Sequence, residues 1–146
     1  MLVGVMTTVT TPQPSTTRGC ILGLVLGDAI GAAGTTTPAT GALWGTPAGQ
    51  LACFTLEGII RAHIRDIHKG CHPWTVVWHA YTRWAAMQEI PGIKRCSDEE
   101  WPDGWLASVP ALAARRGSAP ATVAALQAQT MGTIVQPVSG STGAHG

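Results

Sequence analysis

Between Arg18 and Ala32, apolar residues fall at Ile21, Leu22, Val25, Leu26 and Ala29, the spacing of a helix, while glycines recur every fourth residue at Gly19, Gly23, Gly27 and Gly31. This predicts a helix with a smooth strip on one face that another backbone can approach closely, at a propensity cost of about 1 kcal/mol per glycine. Gly34 to Gly49 has no period and is rich in Gly, Thr and Pro, which predicts a loop. From Gln50 to Ile67 the pattern is that of an amphipathic helix. Leu51, Phe54, Leu56, Ile59, Ile60, Ile64 and Ile67 form an apolar face opposite Glu57, Arg61, Arg65 and Asp66. Gly70 and Pro73 separate it from a further helix over Trp74 to Gln88, with Trp74, Val77, Trp78, Tyr81, Trp84, Ala85 and Gln88 on its stripe. Two antiparallel helices follow from that spacing. Pro91-Gly92 ends the pattern, a short helix is expected around Pro110 within Trp105 to Ala114, and Ala119 to Gln129 reads as a last helix with Pro120 near its start. No run alternates like a strand and nothing repeats, so the expected fold class is all-α.

Composition narrows this to one domain. The chain has 146 residues, too few for separate catalytic and accessory domains, and 12% of them are charged, against about 25% in an average soluble domain. Nine basic and eight acidic residues give a net charge of +1, and the longest basic run is the pair Arg115-Arg116. That is no footprint for nucleic acid. Residues 1–17 lack a basic n-region and read as a flexible leader, and the Ser139–Gly146 tail, without apolar content, as disordered, which leaves a helical domain over 18–138. The most apolar run, Cys20 to Ala33, is interrupted by Asp28 and by glycines and is shorter than the roughly 20 residues that cross a bilayer, so no membrane partner is expected. Cys20, Cys53, Cys71 and Cys96 are far apart and are expected as free, buried thiols in a cytoplasmic protein.

Several residue types hint at chemistry. His63, Asp66, His68, Cys71, His72 and His79 offer imidazole and thiolate donors, with His68 and Cys71 at a zinc-like spacing. Gly70 and Pro73 disrupt any common helical face, however, and no second pair follows at a finger-like distance, so zinc is not expected. No feature marks a nucleophile for a Cys/His hydrolase. Trp74, Trp78 and Trp84 fit one apolar stripe and are expected in the core, whereas Trp44, in the glycine-rich loop, is the better candidate for ligand contact. Asp28, the sole acid of the first helix, is read either as a site residue or as a local hydrogen-bonding device. Thr46 is read as a turn or cap residue before it is read as a metal ligand.

The order of motifs is more specific than any one of them. R-G-C-I-L-G-L-V-L-G-D-A-I-G (18–31), F-T-L-E-G-I-I-R-A-H-I-R (54–65), K-G-C-H-P (69–73), H-A-Y-T-R-W (79–84), D-G-W-L-A-S-V-P-A-L-A-A-R-R (103–116) and Q-P-V-S-G-S-T-G (136–143) together resemble the ADP-ribosylglycohydrolase family. The resemblance spans 18–146. It implies an all-α fold, of which this chain is an incomplete copy, and removal of ADP-ribose from a modified side chain with a pair of magnesium ions. It also assigns substrate contacts to Asp28, Ser141 and Gly143, which join the Trp44 read from its loop, with Thr46 as a remnant of the metal motif.

The departures bear on activity. Where the family has a Thr-Asp-Asp-Thr stretch that supplies metal ligands, this chain has Thr46, Pro47, Ala48 and Gly49. The acid that follows G-D-A-x-G in the family is replaced by Gly34, Thr35 and Thr36, and the family's second metal motif has no counterpart in these residues. Magnesium needs hard oxygen donors, usually carboxylates, and is therefore not expected to bind here. The resemblance thus implies a truncated, degenerate member without hydrolase activity that retains binding of ADP-ribose or an ADP-ribosylated protein. The alternative is a module that binds a partner or forms a homo-oligomer through an uncovered apolar face.

Overall fold

The computed structural model describes residues 13–34, 43–70, 72–94, 101–128, 130–133, 135–136 and 138. Among them are five α-helices and no strand, as the all-α expectation requires: α1 (Pro14–Ala33), α2 (Pro47–Lys69), α3 (Pro73–Met87), α4 (Pro110–Ala113) and α5 (Pro120–Gln127). Each begins at a proline, whose fixed φ suits the first helical position and whose missing N–H is one the helix would leave unpaired anyway. This explains where the boundaries depart from the periodicity. α1 starts inside the stretch read as leader, and α2 starts three residues inside the expected loop. Pro110 divides the expected 105–114 helix into a 3-10 turn (Trp105–Ser108) and α4. Residues 1–12 and the 139–146 tail lie outside the described residues.

The core forms where α2 lies along α3. Phe54, Ala80, Trp84 and Ala85 are fully or nearly fully buried, with Ile90, Ala119 and Leu126 completing the cluster. Gly58 permits the closeness of the two helices: a Cβ there would stand 2.8 Å from the Val77 Cα. Polar bonds fix the register. The Trp84 indole N–H donates to Gln50 Oε1 at 3.0 Å, the Thr55 and Tyr81 hydroxyls pair at 2.7 Å, and the amides of Gln50 and Gln88 donate to the carbonyls of Ala114 and Leu112.

The facing of α2 corrects the pattern-based expectation. Among those whose burial is described, its buried residues are Gly49, Gln50, Phe54, Glu57, Gly58 and Ala62, while Ile59 and Ile64 are about half exposed at 51% and 48%. The small residues Gly58 and Ala62 admit α3, and Glu57 enters with them because Arg83 on α3 neutralises it. Among the tryptophans of α3, Trp84 is buried, Trp78 half-buried, and Trp74 exposed with its ring stacked on His72 at 4.7 Å. Core packing therefore holds for Trp84 and fails for Trp74, which sits in the first turn of α3.

The first helix departs further. Ala29 is its sole buried residue, and no described atom lies within 4 Å of a Cβ placed on Gly19, Gly23, Gly27 or Gly31. The glycine strip faces no neighbour among the described residues. Leu22, Leu24, Leu26 and Ile30 are also exposed, and an open cleft of about 870 Å³ runs between α1 and α2, lined by Ile21, Leu22, Leu56, Ile59 and Ile60. Cys20, expected to be buried, is exposed on this helix, whereas Cys53 is half-buried and its thiol pKa is pushed up by burial. Cys71 and Cys96 lie outside the described residues. No helix among those described is long and apolar enough to cross a membrane.

Candidate functional site around Asp28 and Thr46

Asp28 and Thr46, eighteen residues apart in sequence, meet where the C-terminal part of α1 lies beside the start of α2. The Thr46 backbone N–H donates to Asp28 Oδ2 and its hydroxyl donates to Oδ1, both at 2.6 Å. The same hydroxyl accepts from the Ala48 N–H at 3.1 Å, which makes Thr46 the N-cap of α2. Two glycines make room for the carboxylate: a Cβ on Gly49 would stand 2.5 Å from Oδ2 and one on Gly45 3.1 Å. The N-terminal end of a 23-residue helix is a favourable place for that negative charge. Thr46 is thus the cap residue that the sequence suggested, whereas Asp28 makes no bond local to its own helix end but a long-range tie that holds the loop down.

Trp44, just before this contact, is 49% exposed, with the Arg116 guanidinium carbon 4.1 Å from its ring centroid. The segment carrying Arg116 is pinned to the first turn of α2 on both sides. Gln50 donates to Ala114 O at 2.9 Å, and Gly117 lies so close to Pro47 that a Cβ would stand 3.1 Å from its ring. Asp28, Thr46 and Trp44 therefore share one locality. Ser141 and Gly143 lie outside the described residues.

The donors here do not fit a pair of magnesium ions. They comprise one carboxylate and one hydroxyl already bonded to each other, followed by Pro47, Ala48 and Gly49, which bring no side-chain oxygen. Nor do the histidines assemble a site: His63 and Asp66 are exposed, His72 stacks on Trp74, and no group of three or more metal-capable side chains converges among the described residues. Cys71 and the side chain of His68 lie outside what is described.

Sequence reasoning missed a second charged constellation. Glu57, 2% exposed, receives Arg83 Nη2 at 3.0 Å and Arg61 Nη1 at 3.5 Å, and Asp103 accepts from Arg61 Nη2 at 2.6 Å. Burial pushes the Asp103 carboxyl up, but the Arg61 hydrogen bond and the charges of Arg61 and Arg83 outweigh it and hold it below the usual range. Burial, then Arg83 and Arg65, hold the His79 imidazole below its ordinary value. Gly104, at φ +100°, carries the chain over this cluster, where a Cβ would stand 2.5 Å from both Arg61 Nη1 and Glu57 Oε1. The cluster ties α2, α3 and the 101–104 segment together. Glu57 and Arg61, one turn apart, were its available signal, but the isoleucine pattern placed them on the solvent face.

The described residues form an all-α domain whose first helix carries G-D-A-I-G, with the aspartate of that motif held against the capped start of the second helix. The chain belongs to the ADP-ribosylglycohydrolase family, whose family model matches residues 10–145. No curated protein and no solved structure matches it.

Proposed function

We propose that this chain binds ADP-ribose, or a protein that carries it, at the Asp28–Thr46–Trp44 locality and does not hydrolyse the glycosidic bond. Family membership supports the ligand. The observation that carries the loss of activity is the start of α2: Thr46 is followed by Pro47, Ala48 and Gly49, and the neighbouring Asp28 carboxylate is spent on the cap. Metal-assisted hydrolysis needs carboxylates both to hold the ions and to activate water at the anomeric carbon. Magnesium is accordingly not part of this reading. Ser141 and Gly143 are proposed as further contacts to the ligand, and the cytoplasm as its location. The test is incubation of the purified chain with an ADP-ribosylated protein, with and without magnesium. No release of ADP-ribose above background is expected, and magnesium-dependent release would overturn the reading.

A second reading is favoured by the uncovered faces of α1 and α2. Leu22, Leu26, Ile30, Ile59 and Ile64 are each about half exposed, Leu22 and Ile59 line the same cleft between α1 and α2, and contiguous apolar surface marks contact sites. On this reading the chain is a partner-binding or self-associating helical module. Sedimentation velocity is expected to show a dimer or larger species, and a compact monomer at all concentrations would sink the idea.

A further inference from the structure

We propose that Arg116 recognises the phosphates of a nucleoside diphosphate ligand, with Trp44 as the platform that orients it. This deepens the ADP-ribose reading above and rests on it. A guanidinium that lies over an aromatic face uses its π surface there and leaves its edge free, and that edge carries the N–H donors that grip phosphate in pairs. Arg116 stands over Trp44, its guanidinium carbon 4.1 Å from the ring centroid. Among the described residues its charge is also uncommitted. The ion pairs there engage Arg61 and Arg83 with Glu57 and Asp103, and none involves Arg116.

Its position is fixed from two directions. The Ala114 carbonyl is held by Gln50, and Gly117 packs on Pro47, so the chain on either side of Arg116 is anchored to the first turn of α2. Trp44 is anchored to the same turn through Thr46 and its two bonds to Asp28. The pair is therefore preorganised, and a ligand loses less freedom on meeting it than on meeting a mobile surface arginine. The placement also separates charges. Asp28 would repel a phosphate, and Arg116, over Trp44 and not bonded to that carboxylate, offers an anion a cationic position. Its neighbour Arg115 is exposed and adds to the local positive potential.

The experiment is calorimetric titration of the full chain with ADP-ribose, ADP and adenosine, for the wild type and for Arg116→Gln and Arg116→Lys, after circular dichroism shows that each variant folds. The wild type is expected to bind ADP-ribose and ADP, with adenosine weaker and with affinity that falls as salt rises. Arg116→Gln is expected to weaken ADP-ribose and ADP about tenfold, as loss of a charge-assisted phosphate contact implies, and to leave adenosine unchanged. Arg116→Lys keeps the charge without the planar fork and is expected to fall between. A wild type that binds no ADP-ribose overturns the function proposed above and this assignment with it. Binding that Arg116→Gln leaves unchanged overturns the assignment alone. Equal weakening of adenosine and ADP-ribose overturns it too, because the residue would then act through Trp44 and not on phosphate.

Discussion

Glu57→Ala is expected to destabilise the domain by about 3–5 kcal/mol, the effect of removing one partner from a buried ion pair. That is a large part of the 5–15 kcal/mol that typically separates folded from unfolded chains. The reason lies in what remains. Arg83 is 4% exposed at its side chain, and its Nε has no hydrogen-bond partner among the described residues. Without Glu57 its nearest carboxylate is Asp103 at 3.7 Å, on a side chain 38% exposed and already engaged by Arg61 at 2.6 Å. Urea unfolding followed by far-ultraviolet circular dichroism measures the loss. Replacing both partners with apolar residues, Glu57→Leu with Arg83→Met, is expected to recover most of it, because no uncompensated charge is then left inside. A Glu57→Ala chain within 1 kcal/mol of the wild type would show that water reaches Arg83 and that the pair is not effectively buried. Asp103→Ala is a useful contrast. Its partner Arg61 is nearer to solvent, so the loss is expected to be that of a partly exposed pair, about 1 kcal/mol or less.

How much of this was legible in the sequence depends on what each feature requires. Helix existence was legible because period and punctuation are local: α1, α2, α3 and α5 all fall where the apolar spacing put them. Their starts were less so, since a proline at the first helical position looks like loop until the helix is seen to grow from it. The facing of α2 was not legible. Three exposed isoleucines outweigh Phe54 in any pattern, yet Gly58 and Ala62 decide the packing because small residues admit α3. Glu57 is the sharpest case, a carboxylate that reads as solvent-facing and is buried by an arginine on another helix. Within the candidate site, Asp28 and Thr46 were picked out by resemblance and by their residue types, and the cap geometry of Thr46 was within reach of local rules. The Trp44–Arg116 stack was not, since it joins segments that only the tertiary fold brings together.

The same substitution, Gly→Ala, is expected to have opposite signs in α2 and α1. At Gly58 the new Cβ would stand 2.8 Å from the Val77 Cα, 3.0 Å from Val77 Cγ2 and 3.3 Å from the Ala80 Cβ. The first of these is backbone, so α3 itself must shift and carry Trp84 and Arg83 with it. Overpacking of this kind costs about 1–3 kcal/mol, and more where backbone must move. The gain of about 1 kcal/mol in helix propensity does not offset that at the upper end of the range. At Gly23 nothing lies within 4 Å, so the propensity gain stands alone and Gly23→Ala is expected to stabilise the chain by up to about 1 kcal/mol. Thermal melts of the two variants beside the wild type test the pair. If Gly58→Ala were stabilising as well, the α2–α3 contact would have to be looser than its geometry implies. Gly23→Ala carries a second consequence. If the α1 strip is the surface through which two copies meet, the added methyl would separate them, and the variant would gain stability as a monomer while losing self-association. The melt and the sedimentation profile would then move in opposite directions, a combination that a strip facing only water would not produce.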